Sequence, residues 1–150
     1  MRVSGPAAAL ATAGLVVAVD QATKQLAATN IAPGDQVAVI PGLDLTNTRN
    51  TGVAFGALDG GGVVVAILIG ASLALLVAYF VANRDRAWLW LPVGMLLGGA
   101  LGNLADRARE GAVIDFIDPI AWPAFNVADS CIVVGVLVLL WVVEGGQRRA

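Results

Sequence analysis

The sequence predicts an all-α polytopic membrane protein: four transmembrane helices with a small sheet and loop on the outer membrane face. Three observations carry that expectation. Hydrophobic residues make up 58% of the 150 and charged ones only 13%, too little polar side chain to cover a water-soluble domain. Mean hydropathy is +0.81, and the 18 glycines are scattered through apolar runs, as in helices that pack within lipid. Four nearly uncharged stretches of about 20 residues match what a helix needs to cross a hydrocarbon core of roughly 30 Å. The whole chain, 1–150, is expected to form a single membrane-embedded domain.

The first span is expected at about 6–27. With Arg2 ahead of an Ala/Leu/Val run it also has the look of a secretory signal peptide, but Asp20 and Lys24 stand where such a run would end and three more spans follow. The outer loop at about 29–61 is too polar to span. Its alternation in Val37, Val39 and then Leu43, Leu45, broken by Pro41-Gly42, predicts short strands around a turn. The second and third spans, at about 62–82 and 87–105, are joined by a very short link carrying Arg84 and Arg86. A second outer loop, at about 108–124, mixes Val113, Ile114, Phe116, Ile117 and Trp122 with charges, so its apolar groups either dip into the interface or pair with the sheet. The fourth span is expected at about 125–143.

Basic residues place both termini in the cytoplasm: Arg2, Arg84 with Arg86, and Arg148 with Arg149 fall on one side, against Lys24, Arg49, Arg107 and Arg109 on the other. Tryptophans agree with an interfacial belt, with Trp88, Trp90 and Trp141 at the inner ends and Trp122 just outside the fourth span. The net charge of −2 disfavours nucleic acid as a partner. A single cysteine and no histidine exclude an intramolecular disulfide, a CxxC metal site and Ser-His or Cys-His catalysis. Chemistry here must rest on carboxylates, amides, lysine or arginine, and no metal or cofactor is expected.

Ionisable groups at membrane depth are costly and point to function. Gly94, Gly98 and Gly102 form a packing face on the third span, followed by Asn103 and Asp106 at i,i+3. The fourth span opens with the same pattern, Asn126 and Asp129. Helix symmetry alone would pair Asp106 with Asp129. Asp129 has no basic neighbour in sequence, whereas Asp106 is followed by Arg107, a candidate ion pair, and Asp20 can be neutralised by Lys24 one turn on, with the lysine snorkelling outward. Asp115, between Ile114 and Phe116, is an acid whose surroundings raise its proton affinity. Asp118 before Pro119 reads as turn chemistry, and Cys131 as inert packing. Asn50-Thr51-Gly52 reads either as a turn that ends a strand or as an amide presented over the helix ends.

In these segments the chain resembles lipoprotein signal peptidase (signal peptidase II), a family of aspartyl proteases of the bacterial inner membrane. The matching stretches, in order, are Val19 to Lys24, Arg49 to Gly56, Gly98 to Arg107, Val113 to Ile117 and Phe125 to Ser130. The resemblance implies a peptidase of four helices with a small extracytoplasmic β-cradle and a site toward the outer face. It puts the catalytic pair at Asp115 and Asp129, in place of the symmetric pairing. It implies that Asp20, Lys24, Asn50, Gly52, Phe55, Asn103, Asp106, Arg107 and Asn126 line or brace the site. The implied substrate is a diacylglyceryl-modified prolipoprotein cut before its lipidated cysteine, with membrane lipid as surroundings and the enzyme as a monomer. Two other classes fit the composition: a small proton- or ion-coupled transporter relaying through Asp20, Asp106 and Asp129, and a non-catalytic assembly factor held by the glycine face.

Overall fold

The computed structural model describes residues 5–52 and 61–147. Phe55, Arg2, Arg148 and Arg149 lie outside the described residues. Among the described residues four helices and three strands follow in the order α1 (Gly5–Asn30), β1 (Gln36–Ile40), β2 (Leu43–Asn50), α2 (Gly61–Ala82), α3 (Trp90–Glu110), β3 (Val113–Pro119) and α4 (Val127–Gln147). By length and composition α1 and Val127–Gly145 of α4 are each able to cross a membrane, and α2 carries the apolar stretch Ile67–Ala82.

Close approach organises the bundle, because glycine leaves the α3 backbone bare where its neighbours press on it. A Cβ on Gly94 would meet the Ala9 carbonyl oxygen at 2.7 Å, and one on Gly98 the Ala13 carbonyl oxygen at 2.7 Å. A Cβ on Gly102 would meet Asp20 Oδ2 at 2.6 Å. The glycine stripe therefore faces α1, and since both numberings rise together the two helices run parallel. Gly99, a quarter turn round, meets α4, where an added Cβ would lie 2.6 Å from the Ala128 carbonyl oxygen. Gly135 of α4 in turn lies against Met95 and Leu96, so α4 runs antiparallel to α3. The beginnings of α1 and α3 and the end of α4 thus share one end of the bundle. There a cluster of Ala9, Phe80, Leu89, Val93 and Val142 closes the core, and Arg86 of the α2–α3 link donates to the Val143 carbonyl of α4.

The opposite end carries the sheet. β1 and β2 form an antiparallel hairpin around Gly42, whose φ of 91° a side chain would strain, and β3 pairs antiparallel on the other edge of β2. The apolar residues of 113–117 pair with the sheet, one of the two outcomes open from their sequence. Asp118 sits within β3 rather than in a turn, because pairing with Asp44 extends the strand, and its carboxylate accepts from Gln36 Nε2 at 2.8 Å. Helix ends also differ from the hydropathy limits. α3 starts at Trp90 and runs on to Glu110: Asn103 and Asp106 are buried against protein while Arg107 to Glu110 form an exposed last turn, and Gly111 at φ 72° terminates it. α4 starts at Val127 rather than 125 because Asn126 caps it.

Gly99→Ala forces a methyl onto a backbone oxygen that has nowhere to go, and a loss of about 1–3 kcal/mol of stability is expected. Gly14→Ala, where nothing lies within 4 Å of the new carbon, is expected to hold or raise stability. Thermal unfolding of the two purified variants in one detergent checks the contrast.

Candidate active site

The site is built where the head of α4 meets α1, α3 and β3. An α-helix begins with unpaired N–H groups, and inside a membrane protein these need partners. Asn126 supplies one by accepting from the Asp129 amide at 2.9 Å through Oδ1, and Asp129 Oδ2 accepts from the Asn126 amide at 3.3 Å, a reciprocal capping box. The Ala128 amide donates to Asp20 Oδ1 at 2.9 Å, so a carboxylate from α1 caps α4 across the bundle.

Asp20 itself is held by Lys24, a residue only 1% exposed, whose ammonium has its three protons matched by three oxygens. They are Asp20 Oδ2 at 2.8 Å, Asp106 Oδ2 at 2.8 Å and Asn103 Oδ1 at 2.9 Å. Two carboxylates against one ammonium leave an excess negative charge. Backbone and amide donors offset it: Ala128 N on Asp20, Ile114 N on Asp106 Oδ2 at 3.3 Å and Gln21 Nε2 on Asp106 Oδ1 at 2.8 Å.

Lys24 also sets the amide of Asn103. Its Oδ1 is turned to the ammonium and accepts Asn126 Nδ2 at 3.2 Å, so Nδ2 faces the other way and donates to Asp129 Oδ1 at 2.8 Å. Asn126 Nδ2 further donates to Asp115 Oδ1 at 2.7 Å, and so Asn126 touches both Asp115 and Asp129. The second oxygen of Asp115 accepts from Asn50 Nδ2 at 2.8 Å, while Asn50 Oδ1 accepts the Gly52 amide at 2.9 Å. Asn50 therefore both ends a strand and presents an amide to the site. Thr48 and Asp115 are cross-strand partners, and the Arg49–Glu110 ion pair ties β2 to the end of α3 beside them.

The two carboxylates differ in exposure: Asp115 is 2% exposed, Asp129 half-buried. Burial pushes the Asp115 carboxyl above the usual carboxylate range. The Asp129 charge pushes the same way, against amide hydrogen bonds from Asn50 and Asn126 and the charge of Lys24. One helical turn below, Ala100 and Ile132 belong to an apolar cleft of about 410 Å³ between α2, α3 and α4, lined also by Leu68, Leu73 and Leu96.

Asp20, Lys24, Asn50, Asn103, Asp106, Asp115, Asn126 and Asp129 thus form one connected network, with Gly52 attached through Asn50. Three details depart from the sequence reading. Lys24 turns inward instead of snorkelling, because two carboxylates and an amide await it there. Asp106 pairs with Lys24 and not with Arg107, which is exposed and makes no side-chain bond among the described residues, since successive helical residues point apart. Asp106 and Asp129 each have a different basic or amide partner rather than each other. Gln21, which ties Asp106 to Arg109, carried one signal that sequence reasoning passed over: an amide next to Asp20 in an otherwise apolar helix.

Known proteins resemble this chain over most of its length. The family model described as signal peptidase (SPase) II matches residues 12–143. A lipoprotein signal peptidase of Moorella thermoacetica is 43% identical over 129 residues, 85% of this chain and 86% of the relative. One of Oleidesulfovibrio alaskensis is 46% identical over 134 residues, 82% of this chain and 85% of the relative. A bacterial membrane enzyme solved by the in meso method at 1.9 Å resolution superposes with a TM-score of 0.82 at 35% identity, covering 90% of this chain and 91% of that one. The class is that of membrane-located, aspartic-type peptidases. Within it, this chain belongs to the signal peptidase II family.

Lys24→Met leaves Asp20 and Asp106 buried without their cation, and a loss of about 3–5 kcal/mol is expected. Thermal unfolding in detergent measures it; an unchanged midpoint would contradict the central place given to the ammonium.

Proposed function

We propose that the protein is an intramembrane aspartyl endopeptidase that removes signal peptides from diacylglyceryl-modified prolipoproteins, cutting on the N-terminal side of the lipidated cysteine. The observation that carries this reading is the single amide, Asn126, bonded to both Asp115 and Asp129 at the sheet-bearing end of apolar helices. Asp115 and Asp129 form the catalytic pair and share one proton, since two neighbouring carboxylates do not both ionise readily. The raised proton affinity of Asp115 supports its holding that proton and donating a hydrogen bond to the scissile carbonyl, while ionised Asp129 takes a proton from the attacking water. Breakdown of the tetrahedral intermediate then passes a proton to the leaving amine. Asn103 and Asn126 orient the pair, Asn50 with Gly52 steadies Asp115, and Asp20, Lys24 and Asp106 brace the helices. Arg107 and Phe55 join them as residues that bind substrate or brace the site.

All four helices span the membrane as a single domain over residues 1–150, with both termini cytoplasmic and the site at the outer face. The helix directions support the shared side of the termini, and Arg84 and Arg86 lie at that same end. The substrate's lipid is favoured by the cleft beneath the pair. A spanning helix about 10 Å wide and 30 Å long fills roughly 2,400 Å³; the cleft, at about 410 Å³, suits an acyl chain instead.

Asp115→Asn and Asp129→Asn are each expected to abolish cleavage of a lipidated precursor while the protein stays folded, and near-normal turnover in either would sink the assignment. The same precursor without its lipid is expected to be cut far more slowly in the same detergent. The pH profile of kcat/KM is expected to be bell-shaped. Because the Asn50 hydrogen bond lowers the proton affinity of Asp115, Asn50→Leu should move the alkaline limb to higher pH. A shift to lower pH would assign the proton elsewhere.

A further inference from the structure

Gln21 of α1 repeats, from the surface side, the device that Lys24 works on Asn103. Arg109, exposed on the last turn of α3, donates through Nη1 to Gln21 Oε1 at 2.9 Å. A guanidinium has no acceptor and a carboxylate no donor, so a single orientation of the amide serves both of its neighbours. With its oxygen turned out to Arg109, Gln21 turns Nε2 inward, where it donates to Asp106 Oδ1 at 2.8 Å and lies 3.3 Å from both Asp20 Oδ2 and the Gly102 carbonyl oxygen. The flipped amide would set nitrogen against guanidinium and oxygen against carboxylate.

Asp106 passes this constraint to β3. A carboxylate held at one oxygen pivots about that bond, and one held at both does not. Gln21 fixes Oδ1, while Lys24 fixes Oδ2 at 2.8 Å, and Oδ2 also accepts the Ile114 amide at 3.3 Å. The Ile114 carbonyl in turn accepts from Asn126 Nδ2 at 3.4 Å, the nitrogen that holds Asp115 Oδ1 at 2.7 Å. Ile114 is thus gripped at both ends of its main chain, and Asp115 is the next residue. The β2–β3 ladder is irregular just there: between the pairs Leu45 with Ile117 and Thr48 with Asp115, β2 carries one residue more than β3. Strand pairing interrupted in this way holds Asp115 less firmly than a regular ladder, and the grip on Ile114 supplies what the ladder lacks.

We infer that Gln21 is a positioning residue of the peptidase reaction and that Arg109 locks it from the protein surface. Arg109, Gln21, Asp106 and the Ile114 amide form a relay that fixes where Asp115 stands relative to Asp129. A mere staple between α1 and α3 would add to stability alone. A relay acts on the chemical step as well, because misplacing a reacting group by roughly 1 Å costs about 10²-fold in rate. The inference rests on Asp115 being one of the catalytic pair.

The test measures kcat and KM on a lipidated precursor in detergent, using the full chain with Gln21→Met, Gln21→Glu, Arg109→Met, Arg109→Lys, and Gln21→Met combined with Arg109→Met. Hydrogen exchange over 113–117 is followed in the same proteins without substrate. Gln21→Met is expected to lower kcat about ten- to hundredfold with KM within about twofold of native, and to speed exchange over 113–117 while β1 exchanges as before. Gln21→Glu keeps the acceptor for Arg109 but loses the donor, and should be no faster than Gln21→Met. Arg109→Met should lower kcat severalfold and Arg109→Lys restore it, while the combined variant should be no slower than Gln21→Met, as links of one chain require. Native kcat in a Gln21→Met protein with a lowered melting midpoint would overturn the relay in favour of a staple. A raised KM with kcat unchanged would overturn it in favour of a substrate contact, and losses that multiply in the combined variant would do so in favour of two separate contacts. Should Gln21→Met not fold, Arg109→Met, altered only at the surface, decides: unchanged exchange over 113–117 would overturn the relay. Exchange is read without catalysis, so normal cleavage by Asp115→Asn would remove the catalytic assignment and leave the brace on β3 to be judged by exchange.

Discussion

A single buried ammonium holds the functional end of this protein together. Lys24 has no water to solvate it, so its three protons must find oxygens, and the three it finds come from α1 and α3. Each of those oxygen-bearing side chains then has a second duty. Asp20 caps α4, Asp106 receives the backbone of β3 at Ile114, and Asn103, with its oxygen claimed, can only offer nitrogen to Asp129. Through three bonds, one charge aligns two helices and a strand and sets which atoms face the carboxylate pair.

Such a cluster requires backbones closer than ordinary side chains permit. Gly102 is where the two demands meet: the carboxylate of Asp20 occupies the space its Cβ would take. The glycines of α3 thus serve the polar network as well as van der Waals packing, which in lipid has no hydrophobic effect between helices to assist it. The end of the bundle away from the site is built by other means, an apolar cluster around Leu89 and Val93 with Arg86 drawn across to α4. One end of the bundle is closed by hydrocarbon and the other by hydrogen bonds, and the candidate site lies at the second.

The carboxylate pair comes from unlike supports. Asp129 is fixed by the first turn of a helix, through a capping box that constrains its rotamer as it stabilises the helix start. Asp115 is fixed by a strand, held in register by β2 and by the Arg49–Glu110 pair at its beginning. The Asp129 carboxylate is half-buried, and burial pushes the Asp115 carboxyl above the usual carboxylate range. Membership of the signal peptidase II family makes this chain an aspartic-type peptidase, in keeping with a sequence that has no histidine.

Much of this was legible in order along the chain. Apolar runs of helical length, the β1–β2 hairpin around Pro41-Gly42 and the close-packing glycines of α3 are local or periodic properties, written in the composition of each segment and decided by the backbone's need for internal hydrogen bonds in lipid. The spacing of Asn103 with Asp106 and of Asn126 with Asp129 likewise marked the two helix ends that carry polar groups. What spacing could not reveal was the partner of each group. Lys24 reads as a snorkelling neighbour of Asp20 until α3 brings Asp106 and Asn103 against it, and Asp106 reads as the partner of Arg107 until the helix turns them apart. Asp115 and Asp129 are separated by a loop, and only a family resemblance joined them in sequence. In the folded chain Asn126 joins them because pairing of β3 with β2 carries Asp115 back over the head of α4. Hydrophobic pattern is a property of a segment and can be read from it; a hydrogen bond or ion pair is a property of two segments, and it exists only once tertiary structure has set the distance between them.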